Sequence, residues 1–283
     1  GKRDDAALAE LMTNLGGHCL ETLKDAFDGA KDDRPTIFIA YTIKGYGLPL
    51  AGHKDNHSGL MTPAQIAELR GRLGIAEGEE WEPWAGLGGN QQKDARPIDS
   101  VPVPTLDAPR EAEQSTQAAF GKILFELAKS GHPLAARIVT TSPDVTVSTN
   151  LGGWVNQRGL FRRQDLADVF QKAKIPSAQK WSGAPAGQHI ELGISEMNLF
   201  MLLGQLGLSH DHHGEHLLPI GTVYDPFVLR GLDAFIYGIY NDARFVVAGT
   251  PAGVTLAPEG GAHQSTITAS VGIELPNLTY FEP

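Results

Sequence analysis

Apolar positions first recur at helical spacing from Leu20 to Ala30, where Leu20, Leu23 and Phe27 share a face directly after Gly16-Gly17-His18. A turn and then a helix are predicted there. The next run, Thr36-Ile37-Phe38-Ile39-Ala40-Tyr41-Thr42-Ile43, is short, continuous and rich in β-formers, which predicts a strand buried on both faces of a parallel sheet. A polar, glycine-bearing loop from Gly45 to Thr62 follows, and Thr62-Pro63-Ala64-Gln65 supplies an N-cap threonine and a first-turn proline for another helix. The pattern changes between about Glu77 and Arg110, where Trp81, Pro83, Trp84, paired glycines, Pro97, Pro102, Pro104 and Pro109 predict an interdomain linker.

A second α/β pattern starts at Ser115, whose hydroxyl can cap a helix running to Ser130 with Ala119, Ile123, Leu124 and Leu127 facing inward. Short apolar runs at Arg137 to Thr141, Leu217 to Thr222 and Phe245 to Ala248 are predicted strands. Helices are expected from about Ser195 to Gly207 and from Phe227 to Asn241, with Phe235 and Tyr237 in the core. Alternation of helix and buried strand gives an α/β class: parallel sheets flanked by helices, in two parts joined by a proline-rich arm.

Composition narrows the function. Of 283 residues, 41% are hydrophobic and 20% charged, as in ordinary globular chains, which excludes disordered and fibrous classes. A net charge of -10 and the lack of a basic stripe argue against nucleic acid as a partner. Cys19 is the only cysteine, so no disulfide or multi-cysteine zinc site forms within one chain, and a reducing, cytoplasmic compartment is expected. The longest apolar stretch, near Leu199 to Leu208, is too short to span a bilayer, so no membrane partner is expected.

Candidate chemistry gathers after the predicted strands, where open α/β sheets bind ligands. The first loop carries Lys44-Gly45-Tyr46-Gly47 and Gly52-His53-Lys54-Asp55-Asn56-His57-Ser58-Gly59. Its His57 can donate to an anionic oxygen or shuttle a proton near neutral pH, with His53 the weaker candidate; a solvated loop is the alternative. The second, Gly249 to Ser265, includes Glu259 and His263 and is long enough that a pocket-lining role is the better reading than a surface excursion. The third element is His189-Ile190-Glu191-Leu192-Gly193-Ile194-Ser195-Glu196, where Glu196 enters an otherwise apolar helix. Simple interaction with the helix dipole would also explain that carboxylate. His210, His212, His213 and His216 lack the spacing of a metal motif and read as a polar loop.

The ordered set of Leu15-Gly16-Gly17-His18, Thr42-Ile43-Lys44-Gly45-Tyr46-Gly47, Ser115-Thr116-Gln117-Ala118-Ala119-Phe120 and Gly193-Ile194-Ser195-Glu196 resembles the transketolase superfamily of thiamine-diphosphate enzymes. Within it these motifs look most like the homodimeric type of pyruvate dehydrogenase decarboxylating component. Gly52 to Gly59 and Ala262-His263-Gln264 look equally like transketolase. The resemblance implies parts of two thiamine-diphosphate-binding domains: the tail of a diphosphate-binding domain over 1–85, a linker over 86–110 and a pyrimidine-binding domain over 111–283. It implies that Glu196 hydrogen-bonds the cofactor's aminopyrimidine, that Phe227 stacks on it with Tyr224 alongside, and that Asp144 lies near the cofactor. His57 and His263 would act as acid–base and oxyanion-stabilising groups; for ketol transfer Arg230 is the residue to inspect for holding a substrate phosphate, although a solvated helix residue is the better reading of it. The family's Gly-Asp-Gly motif with a following Asn is not in the sequence. The Mg2+ ligands and a further domain are therefore expected in parts of a longer parent. Implied partners are a second identical subunit and, for the pyruvate-dehydrogenase type, a lipoyl-bearing acyltransferase. Ketol transfer between sugar phosphates is the alternative activity, and a non-catalytic binding module is the alternative of another class.

Overall fold

A computed structural model describes residues 4–32, 34–57, 59–82, 85–86, 100–106, 109, 113–164, 172–175, 179–255 and 257–283. Most of the predicted linker lies outside these residues. The chain divides into two compact units, Gly1–Ala95 and Arg96–Pro283.

In the first unit, helices α2 (Leu20–Gly29) and α3 (Pro63–Leu73) follow the sequence signals, and a helix that was not predicted, α1 (Asp5–Thr13), precedes them with Asp4 as its N-cap. Thr62 and Gln65 close a reciprocal capping box at the start of α3, and Gly74, in the left-handed region, ends it. The strand expected at Thr36 to Ile43 does not form: the segment has no ladder partner among the described residues. Ile37 and Ile39 are 87% and 94% exposed, so the expected burial on both faces is overturned as well. Backbone N–H and C=O groups of a strand need a neighbouring strand, and side-chain composition cannot supply one. The segment is held instead at points, by Phe38 packed edge-on to Phe27 and by the Ile43 N–H donating to His18 Nε2 at 2.7 Å.

The second unit is a six-stranded parallel sheet flanked by helices. Its strands are β1 (Ile138–Ser142), β2 (Leu160–Phe161), β3 (Gly183–Ala184), β4 (His189–Glu191), β5 (Leu218–Val223) and β6 (Val246–Gly249). They lie in the order β3-β2-β4-β1-β5-β6, with Thr140 opposite His189 on one side and Ile220 on the other. Helix α4 (Thr116–Lys129) starts at Ser115, whose hydroxyl accepts from Ala118 N, and buries Leu124 and Leu127. With α5 (Pro133–Arg137) and α6 (Gly152–Arg158) it forms one core around Leu151, Trp154, Val155 and Ile220. Alternation along β5 sends Ile220 to that face and Val223 to the other. There Leu199, Phe200 and Leu203 of α7 (Glu196–Gly207) meet Val228 and Phe235.

Two local expectations are corrected. The stretch predicted as one helix from Phe227 to Asn241 begins as a 3-10 turn over Asp225–Gly231 and becomes helix α9 only at Leu232–Tyr240; Tyr237 on it is 60% exposed, outside the core. The histidine cluster predicted as a loop includes a short helix, α8 (Ser209–His213). The last helix is α10 (Thr268–Glu274). No helix among the described residues is long and apolar enough to cross a membrane.

Candidate active site

Parallel strands all leave the sheet at the same edge, and the sheet order places β1 between β4 and β5, so chain leaving these three strands converges. After β4, Gly193 at φ +68 turns the chain into α7, making Glu196 the first residue of that helix. Glu196 is only 7% exposed. A carboxylate there is favoured by the helix dipole, and it also has a specific partner: Arg230 Nη1 lies 3.3 Å from its Oε1. The turn bearing Arg230 can approach because Gly231 has no side chain; a Cβ would stand 2.7 Å from the Glu196 carbonyl oxygen.

Arg230 also lies over Phe227, its guanidinium carbon 3.7 Å from the ring centroid, so one planar cation meets both an aromatic face and a buried carboxylate. Phe227 and Tyr224 stand in and beside the turn after β5, their centroids 5.9 Å apart. The His263 ring lies 5.2 Å from Phe227 and 5.8 Å from Tyr224. His263 Nε2 is 3.7 Å from Glu259 Oε2, near enough to pair when the imidazole is protonated, while Nδ1 is shielded and has no hydrogen-bond partner among the described residues. A cleft of about 380 Å³ opens alongside, lined by Pro226, Phe227, Arg230, Gln264, Ser265 and Ile267 among others.

Thus six predicted residues, Glu196, Arg230, Phe227, Tyr224, His263 and Glu259, form one connected cluster in the second unit. Asp144 stands on the loop after β1 with an exposed side chain and φ +67; its N–H donates to Glu191 at 2.8 Å. His57 and His53 belong to the first unit, and both are exposed. Lys44 Nζ lies 2.9 Å from His57 Nδ1, and an ammonium only donates, so that nitrogen accepts and a neutral ring carries its proton on Nε2. His53 Nδ1 accepts from Asp55 N.

Asp225 went unnoticed in the sequence, although an Asp-Pro pair between a strand and an aromatic turn is a usable signal. Burial pushes its carboxyl up, against the N–H of Gly253, which donates at 3.2 Å and ties the Gly249–Ser265 loop to the turn. Among the described residues, no group of three or more His, Cys, Asp or Glu is placed to hold a metal ion.

No family model matches the chain. Known proteins do. A pyruvate dehydrogenase E1 component from Pseudomonas aeruginosa is 25% identical over 95% of this chain and 34% of its own length. The chain is homologous to pyruvate dehydrogenase E1 components and transketolases. Transketolase 2 of Vibrio vulnificus is 20% identical, covering 100% of this chain and 44% of the relative. The crystal structure of transketolase from Campylobacter jejuni superimposes with a TM-score of 0.51 at 15% identity, over 91% of this chain and 39% of that one, which supports the fold. The chain therefore spans about a third of the length of the pyruvate dehydrogenase component and less than half of the transketolase.

Proposed function

We propose that this chain is part of a thiamine-diphosphate enzyme that oxidatively decarboxylates a 2-oxo acid, pyruvate, and passes the acyl group to a lipoyl carrier. The observation that carries the reading is the Glu196–Arg230–Phe227–His263 cluster at the carboxyl edge of the sheet. The cofactor's aminopyrimidine is a flat aromatic ring with nitrogen atoms that exchange protons. Phe227 offers a half-buried ring for the face and Glu196 a buried carboxylate for a nitrogen, and both sit within one cluster, so the residues fit that half of the cofactor. Thiamine diphosphate supplies, when bound, the nucleophilic carbon and the electron sink for carbon–carbon cleavage.

The chain's own groups handle position and protons. The Glu196 carboxylate would accept a hydrogen bond from a pyrimidine nitrogen, with Arg230 as its counter-charge. His263, whose Nε2 faces Glu259, can carry a proton to a substrate oxygen or stabilise that oxygen's charge. The reading gives His57 an acid–base role as well, its Nδ1 engaged by Lys44. Tyr224 supports the Phe227 ring, and Asp144 borders the cofactor on the β1 loop. The reading assigns the Mg2+ that neutralises the diphosphate to residues elsewhere in the parent, because the sequence has no Gly-Asp-Gly with a following Asn. It takes two identical subunits to complete the site, and the lipoyl group from an acyltransferase partner.

A second reading, ketol transfer between sugar phosphates, is supported by the transketolase relative, which covers all of this chain. Arg230 bears on the choice. Holding a substrate phosphate would require it to leave Glu196 and Phe227, to which it is committed here. The deciding experiment assays the complete parent subunit with thiamine diphosphate and Mg2+. Reduction of an artificial acceptor with pyruvate supports decarboxylation. Turnover of a ketose phosphate with an aldose phosphate, and none with pyruvate, favours the second reading; no turnover with either supports a non-catalytic module.

A further inference from the structure

We infer that Glu191 is a positioning residue whose single carboxylate locks the Asp144 loop to the loop that leads into Glu196. Its Oε1 accepts from the N–H of Asp144 at 2.8 Å and from the N–H of Gly193 at 3.2 Å, and its Oε2 accepts from the Thr146 hydroxyl at 2.6 Å. Asp144 and Thr146 follow β1, while Gly193 lies three residues before Glu196, so one side chain spans the two strand ends that border the cluster. What the two loops do rests on the proposed thiamine-diphosphate reading; how they are held does not.

Behind Glu191 lies a buried relay in which every proton has a place. His189 and Thr140 are 0% exposed and Thr146 is 2% exposed. Thr146 Oγ1 is 2.9 Å from His189 Nε2, and His189 Nδ1 is 2.8 Å from Thr140 Oγ1. Burial by itself would raise the Glu191 carboxyl, but the His189 ring, its Nε2 3.8 Å from Oε2, and hydrogen bonds from Thr146 and the Asp144 N–H outweigh it and hold it down to about 2. An ionised carboxylate only accepts, so the Thr146 hydroxyl must donate to it. Thr146 Oγ1 then accepts from His189 Nε2–H, and in a neutral ring Nδ1 accepts from Thr140.

This arrangement is more than packing requires, since an apolar core would serve the fold as well as a buried charge. Its visible product is two precisely held turns. Asp144 keeps φ +67 and Gly193 φ +68, and a non-glycine residue persists in that region only where its surroundings over-determine it. A fully satisfied buried network is rigid, which is what a reacting group on an adjacent turn needs.

The test uses the complete parent subunit and the variants Glu191→Gln and Glu191→Ala. Glutamine keeps the shape but presents an NH2 donor toward Thr146, so Thr146 should turn its proton to His189 Nε2 and the imidazole proton should move to Nδ1. Nitrogen-15 NMR of His189 should read Nε2–H in wild type and Nδ1–H in the glutamine variant; the same tautomer in both overturns the relay. Glu191→Gln keeps an acceptor for the Asp144 and Gly193 N–H groups, so its turnover with pyruvate should stay close to wild type, whereas Glu191→Ala, which removes that acceptor, should lower turnover ~10²-fold with KM little changed, the scale for misplacing a reacting group. Wild-type turnover in Glu191→Ala overturns the positioning role. A loss in Glu191→Gln as large as in Glu191→Ala traces the effect to the charge and not to the two N–H bonds, and also overturns it. A wild-type parent without thiamine-dependent turnover removes the proposed role of the loops, while the tautomer readout still decides the relay by itself.

Discussion

The two units contain the same local pattern, an amphipathic helix followed by a short apolar run, and reach opposite ends. In the second unit α5 leads into β1, which lies between β4 and β5 and is almost wholly buried. In the first unit α2 leads into Thr36 to Ile43, which has no ladder, and no described residue of that unit is buried. A helix satisfies its own backbone, whereas a strand depends on residues distant in sequence. The contrast shows that the apolar run states a capacity for burial and leaves the partner to be supplied.

The sharpest test of that contrast is a core deletion in the second unit. Phe200 is fully buried against Phe235, with centroids 4.9 Å apart. Phe200→Ala should cost about 3–5 kcal/mol, read as a drop in the denaturant midpoint of the second unit's unfolding. Phe27, paired with Phe38 but 57% exposed, should cost far less when truncated. Equal losses would mean that the first unit has a core of its own in solution.

Next in size is Glu196→Gln in the complete parent. It should leave folding intact and lower turnover at least ~10²-fold, the scale of a positioned acid–base group. Turnover near wild type would remove Glu196 from the chemistry and leave it as the counter-ion of Arg230.

How far the sequence carried these expectations follows from the same physics. Ser115, Thr62 and Pro63 announced their helices because a cap acts within three residues, and β1, β5 and β6 were placed to within a residue because continuous burial leaves a continuous apolar run. Glu259 and His263 could be singled out from a long glycine-bearing loop after a strand and Glu196 from its place in an apolar helix, whereas Phe227 and Tyr224 came only through the family resemblance and Arg230 only with its ketol-transfer alternative; the pairing of Arg230 with Glu196 spans 34 positions and has no local signature. The 3-10 turn at Asp225–Gly231 was read as helix because its apolar spacing is compatible with both. The relay through His189 was invisible for a different reason: a histidine and a glutamate two apart look like any strand face until Thr140 and Thr146 are brought to them from 43 to 49 residues away.

The acid limb of stability sharpens the comparison at smaller amplitude. Glu191 has a folded pKa depressed from 4.5 to about 2, so the folded state binds fewer protons than the unfolded one in that window. Its contribution is fully present above about pH 4.5 and is lost as pH falls toward 2. Asp225, pushed up by burial, tilts stability in the opposite direction, so the informative quantity is the difference between wild type and Glu191→Gln. The variant should show a shallower loss of second-unit stability between pH 4.5 and 2; parallel curves would mean that Glu191 gains nothing from its partners.

The smallest expected effect is the most informative about the first unit. Ile39 is 94% exposed, so Ile39→Ser removes almost no buried area and should shift the stability of this chain by less than about 0.5 kcal/mol, as for other surface substitutions. If the segment lacks only a neighbour, the same substitution in the complete parent should cost more, approaching the ~1.5–3 kcal/mol of a buried aliphatic side chain that loses its apolar contact. Denaturant midpoints for both chain lengths, each at two protein concentrations, separate the cases. A loss in the short chain that grows with concentration would show a second copy covering Ile39. Equally small shifts in both chains would mean that the run from Thr36 to Ile43 stays uncovered, and that its β-forming composition carries no strand at all.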